Sequence, residues 1–200
     1  MLGIEPSYDK LLQLYLYKEL IAAKFKKNLP LLSGGTSITL PMLENQVIPT
    51  DINHFRVGEA AFFGVSPLAN EQFLDLNTQT FEFKANIIEL EEKKLVPEGV
   101  MSDANIGQTS NFAKSSVGEQ SNKVILDFGL LDVNQEDLTA FDEGVSFVGT
   151  TSDMTVVDVG ENRNKDGHQR FKVGDTLSFR VNYMAVARLL NSKFIGKVFN

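Results

Sequence analysis

The sequence predicts an α/β region followed by a mostly antiparallel β region. Three observations carry this expectation. Over residues 1 to 64, segments with apolar residues at helical spacing alternate with short apolar runs, which is the grammar of parallel α/β units. Past about residue 70 the period changes to the two-residue alternation of a half-buried strand, first over residues 80 to 90. Residues 97 to 122 are rich in Gly, Ser, Asn and Gln and read as a mobile loop between strands.

Residues 7 to 28 read as an amphipathic helix. Ser7 is the expected N-cap, Leu12, Tyr15, Leu16, Leu20 and Ala23 recur at helical spacing, and Asn28 and Pro30 are the expected stops. Residues 29 to 32 read as a short strand that runs into Ser33-Gly34-Gly35-Thr36-Ser37. A helical turn is expected from Ser37 to about Glu44, a second strand over residues 52 to 58, and a short helix from Glu59 to Phe63 that ends at Gly64. Two strands are too few for a stable parallel sheet, so this region is expected to rely on further chain or on a partner. In the second part, strands are expected at 123 to 128, 145 to 149, 155 to 159 and 176 to 181, with a helix over 183 to 191.

Composition narrows the function classes. The 200 residues are 42% hydrophobic and 22% charged, as in ordinary globular proteins. No run of eighteen apolar residues occurs, and no signal peptide is visible, so no membrane partner is expected. The chain has no cysteine, which excludes disulfides, thiol catalysis and thiolate metal sites and fits a cytoplasmic protein. The net charge of -7 argues against nucleic acid as a partner. Lys24, Lys26 and Lys27 cluster where cations complement the end of a helix dipole. His54 and His168 have no His or Cys at ligand spacing, so no metal site is expected.

Two motifs point to an anion. Ser33-Gly34-Gly35-Thr36-Ser37 lies between a strand and a helix, where glycines let backbone approach a ligand and hydroxyls and N–H groups can donate to it. No lysine follows the glycines, so it is not a Walker loop. A plain turn is the competing explanation. Arg56-Val57-Gly58-Glu59 closes the next strand, and in α/β folds ligands gather at the carboxyl ends of strands. A surface ion pair is the competing explanation for Arg56.

These two motifs are followed in order by residues 151 to 159 (Thr151-Ser152-Asp153-Met154-Thr155-Val156-Val157-Asp158-Val159), by Val173-Gly174-Asp175 and by Asn182-Tyr183. In that order and spacing the sequence resembles the alanine-racemase-like, fold type III enzymes that use pyridoxal 5'-phosphate (PLP), nearest to their ornithine-racemase branch. The resemblance implies that residues 1 to 70 are the last units of a TIM-type (β/α)8 barrel and residues 71 to 200 a β domain. It implies racemisation or epimerisation of an amino acid by a homodimer. It assigns the PLP phosphate to Thr36, Ser37, the backbone of Gly58 and Glu59, and the Tyr183 hydroxyl. It places Arg56 at the pyridine nitrogen, and Ser152 and Asp153 near the substrate carboxylate of a neighbouring subunit.

The departures from the family pattern are specific. The lysine that holds the cofactor in the family has no counterpart here, because Lys24, Lys26 and Lys27 belong to a helix end and Lys84 and Lys123 to strands. The family's Gly-Tyr-x-Asp stretch reads Gly129-Leu130-Leu131-Asp132, and leucine cannot move a proton. No catalytic residue is therefore assigned. The alternative expectation is a catalytically incomplete PLP-binding or subunit-pairing module. A carbohydrate- or peptide-binding β domain would leave both anion motifs unexplained.

Overall fold

The first helix begins at the expected cap. In the computed structural model, which describes residues 5–68, 71–94, 108–109 and 120–199, helix α1 spans Tyr8–Phe25 and the Ser7 hydroxyl accepts from the Lys10 N–H. It ends before the expected stop. Lys26 adopts the left-handed conformation at φ 53° and its N–H returns to the Ala22 carbonyl, so the helix closes one turn ahead of Pro30.

The chain divides into two units, Met1–Thr80 and Phe81–Asn200. In the first, α1 is followed by strand β1 (Ser33–Thr36), a 3-10 turn (Ser37–Thr39), helix α2 (Leu40–Glu44), strand β2 (His54–Arg56) and helix α3 (Glu59–Phe63). Strands β1 and β2 pair in parallel. The strand expected over residues 29 to 32 lies instead in the Gly-Gly motif. The reason is the Asn53 side chain, whose carboxamide accepts from the Leu32 N–H at 2.9 Å and donates to the Pro30 carbonyl at 2.8 Å. With those backbone groups held by a side chain, a regular ladder starts only at Ser33.

The core of this unit is small: Leu11, Leu32 and Ile52 are buried, with Tyr15, Met42, Ile48 and Phe55 packed against them. Only Leu11 of α1 is buried. Two further apolar rows flank it at i, i+4, i+8 spacing, Leu12, Leu16 and Leu20 on one side and Tyr17, Ile21 and Phe25 on the other. Both rows face solvent, with Leu20 62% and Phe25 60% exposed.

The second unit is built on a seven-stranded antiparallel sheet in the order β4-β7-β8-β5-β3-β9-β6. Strand β3 (Glu82–Lys94) is its spine. Residues 82–86 pair with β9 (Thr176–Val181), and residues 87–94 pair with β5 (Gln120–Leu126). The change of partner is pinned by Asp127, whose carboxylate accepts from both the backbone N–H and the side-chain amide of Asn86, at 2.7 and 2.6 Å. Strands β4 (Gln108–Thr109), β6 (Leu138–Ala140), β7 (Ser146–Thr150) and β8 (Thr155–Gly160) complete the sheet, and helix α4 (Tyr183–Asn191) follows β9. Two strand segments, Gln108–Thr109 and the start of β5, fall inside the stretch read as a mobile loop; most of that stretch lies outside the described residues. Strand β6 had no counterpart in the sequence reading.

Alternation explains the core. Val157 and Val159 on β8 and Leu177 and Phe179 on β9 all point inward and are fully buried, with Ala185 and Leu189 of α4 joining them. Phe83, Phe128 and Phe179 meet at ring separations of 5.1 to 6.2 Å, and Phe147 stacks on Phe179 at 5.8 Å. No helix among the described residues is long and apolar enough to cross a membrane.

The sheet also holds a polar cluster. Lys123 of β5 is paired in register with Asp158 of β8; their side chains are 9% and 13% exposed and lie 2.5 Å apart. The same carboxylate accepts from the Ser121 hydroxyl and from the Gly160 N–H. Burial alone pushes the Asp158 carboxyl up, but the hydrogen bonds from Lys123, Ser121 and Gly160, with the charge of Lys123, outweigh it and hold the group below its ordinary 3.8. A depressed carboxyl contributes stability that is present above the unfolded value and lost as pH falls through the folded one. Lys123→Met leaves the Asp158 charge buried without its partner and is expected to cost about 3 kcal/mol in urea unfolding at pH 7. The gap between mutant and wild type narrows as pH is lowered below the ordinary carboxylate range. A gap independent of pH would show that the charge of Asp158 is not the cause.

Candidate functional site

The strand ends of the first unit bring Thr36, Ser37, Arg56, Gly58 and Glu59 together. In the parallel register Ser33 lies opposite His54 and Thr36 opposite Arg56, so the carboxyl ends of β1 and β2 finish side by side. The glycines of the first motif have packing reasons of their own. A Cβ on Gly34 would sit 2.5 Å from Ile52 Cγ2 and 2.7 Å from Phe55 Cε1, and Gly35 holds φ +112°. These glycines let β1 lie close against β2 and the core, a purpose that the sequence reading gave to ligand approach.

Ser37 joins the two motifs directly. Its hydroxyl oxygen accepts from the Gly58 N–H at 3.4 Å and from the Ala60 N–H at 3.3 Å, and the residue is 3% exposed. This side chain therefore caps the start of α3 from across the sheet. A hydroxyl that accepts keeps its own proton to donate. Thr36 is exposed beside it. Arg56 is exposed and its guanidinium has no ion-pair or hydrogen-bond partner among the described residues, so the surface ion pair that would have explained it is not present there. Glu59 is the first residue of α3 and is half-buried.

The remaining expected site residues lie in the second unit. Tyr183 is the first residue of α4, which Asn182 caps by accepting the Ala185 N–H at 2.9 Å. Ser152 and Asp153 occupy the turn between β7 and β8. The Ser152 hydroxyl donates to Asp153 Oδ1 at 3.0 Å, and the Thr151 N–H donates to the Met154 carbonyl at 2.8 Å.

That turn is bound to the stretch Gly129-Leu130-Leu131-Asp132. The Leu130 N–H donates to the Thr151 carbonyl and the Leu131 N–H to the Ser152 carbonyl, both at 2.9 Å. Gly129 is buried against the same turn, and a Cβ there would lie 2.4 Å from the Asp153 nitrogen and 2.5 Å from the Ser152 carbonyl. Two motifs that read as separate in the sequence thus form one surface. The sequence carried a signal for this only in Gly129, whose need for a missing side chain becomes visible once the facing backbone is in place.

Comparison with known proteins identifies what carries these motifs. No protein-family model matches the sequence. The ornithine racemase of Acetoanaerobium sticklandii is 29% identical over 195 residues, covering 98% of this chain and 53% of the racemase. The lysine racemase of Thermotoga maritima is 31% identical over 198 residues, covering 98% of this chain and 53% of that enzyme. The chain is a relative of the amino-acid racemases. Alanine racemase structures share its fold: that of Bacillus anthracis, with bound L-Ala-P, superimposes with a TM-score of 0.56 at 15% identity over 86% of this chain and 40% of its own. That of Bartonella henselae, with covalently bound pyridoxal phosphate, gives 0.55 at 13% identity over 94% of this chain and 48% of its own. This racemase relative spans about half the length of the curated racemases it matches.

The packing of Gly129 gives a direct check on the joined surface. Gly129→Ala forces a Cβ against backbone that cannot rotate away, so the turn at Ser152 and Asp153 must move. A loss of about 1–3 kcal/mol in urea unfolding is expected, with the amide resonances of Ser152 and Asp153 shifted. Unchanged resonances at those two residues would contradict the close approach.

Proposed function

We propose that this chain is the C-terminal portion of a PLP-dependent amino-acid racemase or epimerase. On this reading residues 1 to about 70 are the last units of a (β/α)8 barrel and residues 71 to 200 its β domain. The observation that carries the proposal is the pairing of Thr36 with Arg56 at two strand ends, tied together by the Ser37 hydroxyl. The residues fit PLP by their chemistry. Thr36 and Ser37 offer hydroxyl protons, the backbone of Gly58 and Glu59 lies beside them, and the Arg56 guanidinium has no carboxylate neutralising it among the described residues. When bound, PLP supplies an electron-withdrawing ring that stabilises charge left at an amino-acid Cα after its proton departs.

Each residue then has a task. Thr36, Ser37 and the backbone at Gly58 and Glu59 would hold the phosphate, the Gly58 N–H giving up its 3.4 Å bond to Ser37 Oγ to do so. Arg56 would donate to the ring nitrogen and so keep it unprotonated, which would weaken the electron withdrawal and favour racemisation over competing reactions. The Tyr183 hydroxyl would add a donor to the phosphate. Ser152 and Asp153 serve the substrate carboxylate of a neighbouring subunit in a cytoplasmic homodimer. An ionised Asp153 would repel that carboxylate, so its part is to hold the Ser152 hydroxyl, which it accepts at 3.0 Å.

The exposed rows on α1 support the barrel. A helix in the outer ring of a (β/α)8 barrel has a helix on either side, and α1 carries an apolar row on each side of its buried Leu11. Left uncovered, rows of this kind drive association. A second reading, a catalytically incomplete PLP-binding or subunit-pairing module, is favoured by the lysines. All five in the first unit, Lys10, Lys18, Lys24, Lys26 and Lys27, lie on α1 or immediately after it, away from the ends of β1 and β2 in the chain.

Absorbance titration with PLP, followed by borohydride reduction, tests the reading. Wild type is expected to bind saturably, with Arg56→Ala and Tyr183→Phe each weakening binding about ten-fold or more, as loss of one hydrogen bond to a charged group predicts. No covalent label is expected. Absence of binding overturns the proposed site, and a covalent label overturns the claim that this chain lacks the cofactor lysine. In sedimentation at micromolar concentration the chain is expected to self-associate, and the double change Leu16→Glu and Leu20→Glu to shift it toward monomer. A compact wild-type monomer would contradict the uncovered rows.

A further inference from the structure

The start of α4 is held by more than its own cap. Asn182 accepts the Ala185 N–H through Oδ1, and its Nδ2 donates to Asp137 Oδ1 at 2.8 Å. The Asn182 backbone N–H donates to the Asp137 carbonyl at 3.1 Å, continuing the ladder in which Leu138 of β6 lies opposite Val181 of β9. The other carboxylate oxygen of Asp137 takes Nη1 of Arg188, further along α4, at 3.4 Å. The Asp137 side chain is 16% exposed.

The chemistry of the pair is directional. An asparagine amide has one accepting and one donating end, and either could face the helix. An ionised aspartate can only accept, so Asp137 takes the NH2 end of Asn182 and leaves its oxygen toward the amides of α4. The charge of Arg188 secures the same carboxylate from the helix side. Two points of α4 are thereby tied to the residue that precedes β6, and Tyr183 lies between them in the chain, immediately after the cap.

We propose that Asp137 is a positioning residue for the Tyr183 hydroxyl, acting through Asn182 and Arg188. This rests on the reading that Tyr183 closes a phosphate site. Asp137 touches no ligand; its effect is on the direction in which the first turn of α4 presents Tyr183.

The test is PLP affinity of the full chain by absorbance titration, for wild type, Tyr183→Phe, Asp137→Ala, Asp137→Asn and the double variant Asp137→Ala/Tyr183→Phe. Thermal melting of each variant serves as the fold control. Expected are about ten-fold weaker binding for Tyr183→Phe, a comparable loss for Asp137→Ala, and a double variant no weaker than Tyr183→Phe alone. Asp137→Asn keeps an oxygen for Asn182 but not the charge that Arg188 pairs with, and is expected to bind between wild type and Asp137→Ala. If Tyr183→Phe weakens binding while Asp137→Ala binds as wild type, the inference is overturned and the phosphate reading stands. If the losses of the single variants add in the double variant, Asp137 acts independently of Tyr183 and the inference is likewise overturned. If wild type does not bind, or Tyr183→Phe binds as wild type, the phosphate reading fails and this inference fails with it.

Discussion

One hydroxyl holds the two strand ends of the first unit in a common arrangement. Ser37 Oγ takes the Gly58 and Ala60 amides from across the sheet, and this bridge sets where α3 begins relative to the end of β1. Everything attributed to the anion site depends on it. Thr36 is its neighbour on one strand, Arg56 ends the other, and Gly58 and Glu59 lie at the junction. The bridge in turn depends on Gly34, because a side chain there would collide with Ile52 and Phe55 and separate β1 from the core. Local packing and proposed ligand binding therefore draw on the same few residues.

Legibility of the sequence followed the range of the interactions concerned. Helix α4 and strand β9 were readable to the residue because Asn182 caps locally and residues 176 to 181 alternate cleanly. Helix α3 was equally readable from Gly58 before it and Gly64 after it. The displaced strand β1 was not, since its start is decided by the carboxamide of Asn53, twenty-one residues from Leu32. Strand β6 is three residues long and is defined by its pairing to β9, so no periodicity could announce it. Within the site, Thr36, Ser37 and Arg56 were legible as anion-seeking types at strand ends. The capping work of Ser37 was hidden, as was the union of Gly129–Asp132 with Ser152 and Asp153, because both rest on contacts between distant segments.

The two units are stabilised in different ways. The β unit has a continuous apolar core of phenylalanine and aliphatic side chains, and on the sheet a charge pair that three donors keep satisfied. Among the described residues the apolar cluster of the first unit has only three buried side chains, and two rows of α1 lie in solvent. Kinship with racemases about twice as long agrees with this asymmetry. A parallel pair of strands needs neighbours at both edges and cover on both faces, which is what further β/α units provide in a barrel.

The central claim is that the paired ends of β1 and β2 hold a phosphate group. Phosphorus NMR of PLP in the presence of the chain reads that claim most directly, since it observes the phosphate itself. The account predicts a shifted or broadened phosphorus resonance with wild type, reversed by excess inorganic phosphate and lost in the Thr36→Val/Ser37→Ala variant. A resonance unchanged by saturating protein, or a shift that survives that double substitution in a folded chain, would contradict it.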